Sequence, residues 1–219
     1  MATDTVNGQG FESELNKTEL GSFLSNNKGL IVALVVGVLV GVLGYGAYSS
    51  MKEKGEKNAA NAFHAFETAS LEKFKAGTLS ADKIVEDFKA VSNEHASTNA
   101  QFSSALNSFD ALFAKKDFKQ ANEVLAGITA KNNYQTFLLS LRKAAVLEET
   151  GDVDAAIAEL NLINAANLKV MEGKVYLDLG RLYLKKGNKA EAKKNFEMVA
   201  KVKAQNIFKS LAQYYLQQL

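Results

Sequence analysis

The sequence predicts an all-α chain: one transmembrane helix, then an α-solenoid of helix-turn-helix repeats closed by a C-terminal capping helix. Three observations predict it. Gly29 to Tyr48, GLIVALVVGVLVGVLGYGAY, is an apolar run without a charged side chain. The 219-residue chain has no proline and no cysteine and is rich in Ala, Leu, Lys and Glu. That composition favours helices joined by Gly, Asn and Ser/Thr turns, and it excludes disulfides, thiolate metal sites and a cysteine nucleophile. Turn signals at Lys116-Asp117-Phe118, Gly151-Asp152-Val153 and Gly187-Asn188-Lys189 recur about every 35 residues. The expected organisation is a polar tail over 1–28, the span over 29–48, a linker and first helix pair over 49–98, and repeats with their cap over 99–219.

The apolar run comes first. As a helix its roughly 20 residues reach about 30 Å, the thickness of a bilayer's hydrocarbon core. A cleaved signal would have a short basic stretch ahead of a shorter apolar core. Here the preceding segment is long and polar, with Asp4, Glu12, Glu14 and Glu19 against Lys17 and Lys28, which favours an uncleaved anchor. The run's length and its apolar character all the way round weigh against a buried helix of a soluble domain. Within it Ala33, Gly37 and Gly41 follow a small-xxx-small rhythm, a face that permits close helix contact and a homodimer through the span.

After the span, Ala59, Phe63, Phe66, Ser70 and Phe74 recur at steps of three or four, marking one helical face. Ser80 is placed as an N-cap, with Leu79 able to staple against Ile84, and Ile84, Phe88 and Val91 form the next stripe. A polar break at Glu94-His95-Ala96-Ser97 precedes a helix carrying Phe102, Leu106, Phe109 and Phe113. Its partner carries Ala121, Val124, Leu125 and Ile128. In Asn206 to Leu219, Ile207, Leu211, Tyr215 and Leu219 share one side, as a capping helix's inner face would.

A period near 34 is that of the tetratricopeptide repeat. The last unit is the clearest, with Tyr176, Leu179, Gly180 and Tyr183 before the Gly187 turn and Ala192 and Phe196 after it. Gly180 and Ala192 are expected as the close-contact pair of that hairpin. The middle unit follows with Ala144, Leu147, Gly151, Ala156, Leu160 and Ile163. The first is degenerate because Phe109 stands where a small residue is expected. In such an array the first helix of each hairpin lines the concave groove. That projects Leu141, Arg142, Lys174, Leu177 and Arg181 as a protein-binding groove suited to extended or partly unfolded segments. The asparagines of the carboxylate-clamp subgroup are missing.

A polar tail ending in FLSNNKGLIV, one span, a helix pair and these repeats together resemble the YfgM-like family of bacterial inner-membrane proteins over nearly the whole chain. The segment FKAVSNEHASTNAQFSSAL is similar to that family's junction between first helix pair and repeats. The resemblance implies a cytoplasmic N-terminus, a periplasmic repeat domain, and partners among the Sec translocon, periplasmic chaperones and unfolded secretory chains. Charge alone points the other way, since Lys52, Lys54 and Lys57 after the run outnumber Lys17 and Lys28 before it. The expectation follows the resemblance: cell inner membrane, single-pass, domain outside the cytoplasm.

No catalytic constellation is visible, so neither enzyme activity nor a cofactor or metal is expected. His64 lies beside Phe63 and His95 in a polar connection, neither with metal-ligand spacing. Gly8-Gln9-Gly10 follows no strand and makes no phosphate loop. Glu86-Asp87 and Glu148-Glu149 point about 100° apart as helix neighbours and are expected as solvated faces. The last repeat is loaded with Lys174, Arg181, Lys185, Lys186, Lys189, Lys193, Lys194, Lys201, Lys203 and Lys209, against Asp178, Glu191 and Glu197. This patch could attract acidic clients, anionic lipid or nucleic acid, and it is read first as a solubilising surface. Without interleaved exposed aromatics it does not call for nucleic acid. The expected function is a membrane-anchored interaction scaffold, associated with the translocon and passing secreted proteins to chaperones. A structural subunit of an envelope complex is one alternative. A signalling adaptor acting through Phe11, Leu15 and Phe23 of the tail is the other.

Overall fold

The computed structural model describes Phe23, residues 26–166 and residues 169–219, and all its regular elements among these are helices. Phe11 and Leu15, the tail residues offered for signalling, lie outside the described residues. The chain divides after Gly55 into two compact units.

The N-terminal unit holds the apolar part of helix α1 (Lys28–Phe66), the described segment long and apolar enough to cross a membrane. From Val32 to Tyr48 its large apolar side chains are exposed, and nothing approaches Gly37 or Gly41. The expected linker after residue 48 is helical as well, since α1 has no break there.

In the second unit, Ala59, Phe63 and Phe66 on α1 are buried as the spacing predicts. A single π-helical turn, Glu67–Leu71, then places Ser70 and Leu71 inward together, because one extra residue per turn rotates the stripe. Leu71 was not legible from the three-four spacing. Helix α2 (Glu72–Lys75) adds Phe74 and ends at Gly77, whose φ of +81° turns the chain back. Helix α3 (Ala81–Glu94) starts at the expected cap, with the Ser80 hydroxyl accepting from the Lys83 N–H at 3.3 Å. Phe88 closes this hairpin, its ring 5.9 Å from Phe63 and 5.8 Å from Phe66.

Three further hairpins follow: α4 (Asn99–Ala114) with α5 (Phe118–Leu125), α6 (Asn133–Glu149) with α7 (Val153–Ala165), and α8 (Glu172–Lys185) with α9 (Lys189–Lys201). Their turns share one geometry. The residue at the bend is left-handed, Lys116 at φ +66°, Gly151 at +88° and Gly187 at +82°. The next N–H reaches back five residues: Asp117 to Leu112 O at 3.0 Å, Asp152 to Leu147 O and Asn188 to Tyr183 O at 2.9 Å. Asp152 and Asn188 then cap the second helix, accepting from the Ala155 and Glu191 N–H groups at 3.1 Å. Gly77 repeats the pattern, with Thr78 N–H on Lys73 O at 2.9 Å. The first helix pair is thus turned like the repeats that follow it.

The small residue of each second helix of these three hairpins, Ala121, Ala156 and Ala192, is 0% exposed, a methyl group buried in each. The close partner of Gly180 is Phe196, a correction to the Gly180–Ala192 pairing. A Cβ at Gly180 would lie 2.3 Å from the Phe196 ring, which fills the space a larger side chain would need. Helix α10 (Asn206–Gln217) caps the array one residue out of the expected register. Phe208, Ala212, Tyr215, Leu216 and Leu219 face inward, while Ile207 and Leu211 are exposed. Two stripes of helical period overlap in this segment. The inner one differs from the expected one in Phe208, Ala212 and Leu216, while Tyr215, common to both, stacks on Phe196 at 5.0 Å and 6°.

Candidate functional site: a cleft between stacked repeats

Because successive hairpins stack with their first helices on one side, α4, α6 and α8 together wall a cleft of about 310 Å³. Phe109 and Phe113 come from α4, Leu141, Ala144 and Ala145 from α6, and Leu182 from α8; Leu160 of α7 is the one lining residue from a second helix. The aromatic wall is itself ordered, with Phe109 stacked on Phe113 at 5.3 Å and 24°, and Phe113 packed on Phe118 at 5.1 Å. Phe109 interrupts the small-residue pattern of the first repeat and, 3% exposed, backs the cleft as a core residue.

Four of the five groove residues projected from the sequence line this cleft: Leu141, Arg142, Lys174 and Arg181. Leu177 does not. It is 5% exposed and packs with Ala192, Phe196, Val199 and Ala212. It stands 36 residues after Leu141, but the neighbour on its far side is the capping helix, which covers it.

The charges are the feature that spacing alone missed. Arg142 is held by Asp110 through two bonds, Nε to Oδ1 at 2.9 Å and Nη2 to Oδ2 at 2.7 Å, and its Nη1 donates to Leu138 O at 3.2 Å. Arg181 grips Glu148 the same way, at 3.2 and 2.8 Å, with Asp178 Oδ1 at 3.6 Å from its Nε. Lys174 lies 2.5 Å from the other Asp178 oxygen. Burial opposes the charge on Arg181, and the Glu148 and Asp178 carboxylates outweigh it, so its pKa is held above the ordinary arginine value. Three cations and three carboxylates therefore neutralise one another at the cleft.

Glu148 is accordingly no solvated side chain: it is clamped by Arg181 and approached by Lys185 Nζ at 3.9 Å, while Glu149 stays exposed. Asp87 is a second correction. It is partly covered and accepts from the Ser70 hydroxyl at 2.6 Å and the Lys83 ammonium at 2.9 Å. Burial pushes its pKa up and these two donors more than reverse that, leaving it below the usual carboxylate value. Of the histidines, His64 is exposed and His95 sits edge-on to Phe63 with ring centroids 6.5 Å apart. Among the described residues no group of His, Cys, Asp or Glu is placed to hold a metal ion.

A family model described as a tetratricopeptide repeat-like domain matches residues 22–219. No curated protein matches the chain.

Proposed function

We propose, from the premise that this chain belongs to the tetratricopeptide repeat-like domain family, that it is a membrane-anchored scaffold which holds protein segments in the α4–α6–α8 cleft. Its family makes it a protein-interaction module; the anchor, the compartment and the clients are our reading. The observation that carries it is the cleft's chemistry. Phe113 and Leu141, backed by the buried Phe109 and Leu182, surround cations that are already paired with carboxylates of the same chain. Such a surface has no free cation to clamp an acidic tail. It suits apolar stretches of extended or partly unfolded chain, whose burial is worth about 25 cal/mol per Å². Action is by binding and not by catalysis, with no cofactor.

The apolar helix supports an uncleaved anchor, and an anchor raises the effective concentration of partners at the bilayer. The resemblance to the YfgM-like family supports a periplasmic domain beside the Sec translocon that passes emerging secretory chains to chaperones. A photo-crosslinker at Leu141, half-buried in the cleft, tests this in cells. It is expected to capture a translocon subunit, a periplasmic chaperone or a secretory chain, while one at Lys194, exposed on α9, captures little. Equal yields from both positions would sink cleft binding. Adducts confined to one fixed stoichiometric partner would favour a structural subunit instead.

A further inference from the structure

Away from the cleft, the chain leading into α8 and the chain leading into α10 meet at a second cavity of about 440 Å³. Val170, Met171, Ala204 and Phe208 form its apolar walls, with Lys169 and Lys203 at its rim. Val170 and Met171 are 37% and 41% exposed. From there α10 carries Ile207, Leu211 and Tyr214 outward at helical spacing, 58%, 39% and 57% exposed. A capping helix normally turns a polar face to solvent, and this one sets Ile207, Leu211 and Tyr214 there among the exposed Ser210, Gln213 and Gln217.

Met171 adds an independent sign. Helices α4 and α6 start from polar caps, Thr98 accepting from the Gln101 N–H and Asn132 from the Gln135 N–H. The corresponding residue of α8 is Met171, which makes no side-chain cap bond and is held at φ +53°. The fold forgoes a cap and accepts a left-handed residue with a Cβ, and the outcome is an exposed thioether beside the cavity.

The charge around this edge is positive. Lys174, Arg181, Lys185, Lys186 and Lys194 have acidic partners, whereas Lys169, Lys201 and Lys203 have none among the described residues. After Glu197 the sequence contains no acidic residue, and the nearest carboxylate in sequence to Met171 is Glu172. We propose that this edge docks on an anionic bilayer surface: Met171, Ile207, Leu211 and Tyr214 enter the boundary between headgroups and acyl chains, and Lys169 and Lys203 meet lipid phosphates. A second copy is the poorer occupant, because a two-fold contact would set the lysines of one copy against those of the other. An anionic lipid surface satisfies both the apolar and the basic side chains, and a tyrosine suits the interfacial depth. This inference rests on the proposed anchor, which keeps a bilayer within reach of the domain.

The cysteine-free chain allows a direct test. Leu211→Cys and, as control, Lys194→Cys are spin-labelled in the full-length protein, one chain per bilayer disc. Accessibility to oxygen and to a water-soluble nickel complex is measured in phosphatidylcholine discs with and without phosphatidylglycerol. The label at 211 is expected to become lipid-exposed only with phosphatidylglycerol, and the label at 194 to stay water-exposed in both. Adding Lys169→Glu and Lys203→Glu should lower the docked-to-free ratio by at least about 25-fold, fivefold for each lysine lost. A water-exposed label at 211 in both lipids, protection from both reagents as in a protein contact, or indifference to the charge reversals would each overturn the proposal. Loss of the chain from phosphatidylcholine discs on washing, with 211 still lipid-exposed on phosphatidylglycerol, would overturn the anchor reading alone.

Discussion

A methyl group at Gly180 would sit 2.3 Å from Cε1 and 2.5 Å from Cδ1 of Phe196, a ring that is fully buried and stacked on Tyr215. With no room for the ring to retreat, Gly180→Ala should cost about 1–3 kcal/mol. The middle repeat has Ala144 and Leu160 at the corresponding positions. Gly180→Ala with Phe196→Leu should therefore recover much of the loss, read as the urea midpoint of the detergent-solubilised chain; no recovery would separate the two side chains energetically. Asp87 makes a second residue-scale prediction. Its folded-state pKa lies below the unfolded value, so the Ser70 and Lys83 contacts stabilise the fold above the unfolded pKa, and this is lost as pH falls through the folded one. Asp87→Asn should reduce stability at pH 7 by about 1 kcal/mol, discounted for its partial exposure, and flatten the acid limb of an unfolding curve below about pH 4. An unchanged acid limb would remove Asp87 from the account. Arg142 and Arg181 were legible in the sequence as cleft residues because each stands on the first helix of its hairpin. Their partners Asp110 and Glu148 were not, because they lie 32 and 33 residues away and only the stacking of one repeat on the next selects them.

At the scale of single elements, the three bends share a left-handed residue, yet the first uses Lys116 where the others use Gly151 and Gly187. A residue with a Cβ is strained there, and glycine is not. Lys116→Gly should stabilise by about 0.5–1 kcal/mol after allowing for glycine's greater freedom when unfolded, seen as a raised thermal midpoint. A lowered midpoint would mean that Lys116 is held by contacts stronger than its strain. Helix boundaries and turns were legible because glycine, Asp, Asn and Ser announce them. The π-helical turn and the register of α10 were not. In each the apolar residues fit two faces, and three-four spacing alone does not choose between them.

For the whole molecule, the cap closes an array in which each hairpin rests mainly on its neighbours, so damage should stay local. Deleting residues 206–219 strips Ala212 and Tyr215 from Phe196 and uncovers Leu177 and Val199. Hydrogen exchange is expected to show α8 and α9 losing protection while α6 and α7 keep theirs; loss throughout would mean one cooperative unit. The ties between repeats are themselves short in sequence: Asp110 to Arg142, Glu148 to Arg181, Asp154 to Lys186. Among the described residues no side-chain hydrogen bond joins groups more than 43 positions apart. Contact order is therefore low, and a chain delivered N-terminus first can settle each hairpin once the next one arrives, without waiting for its end. A domain that must emerge vectorially thus exposes about one unfinished repeat at a time, and only α10 completes the last.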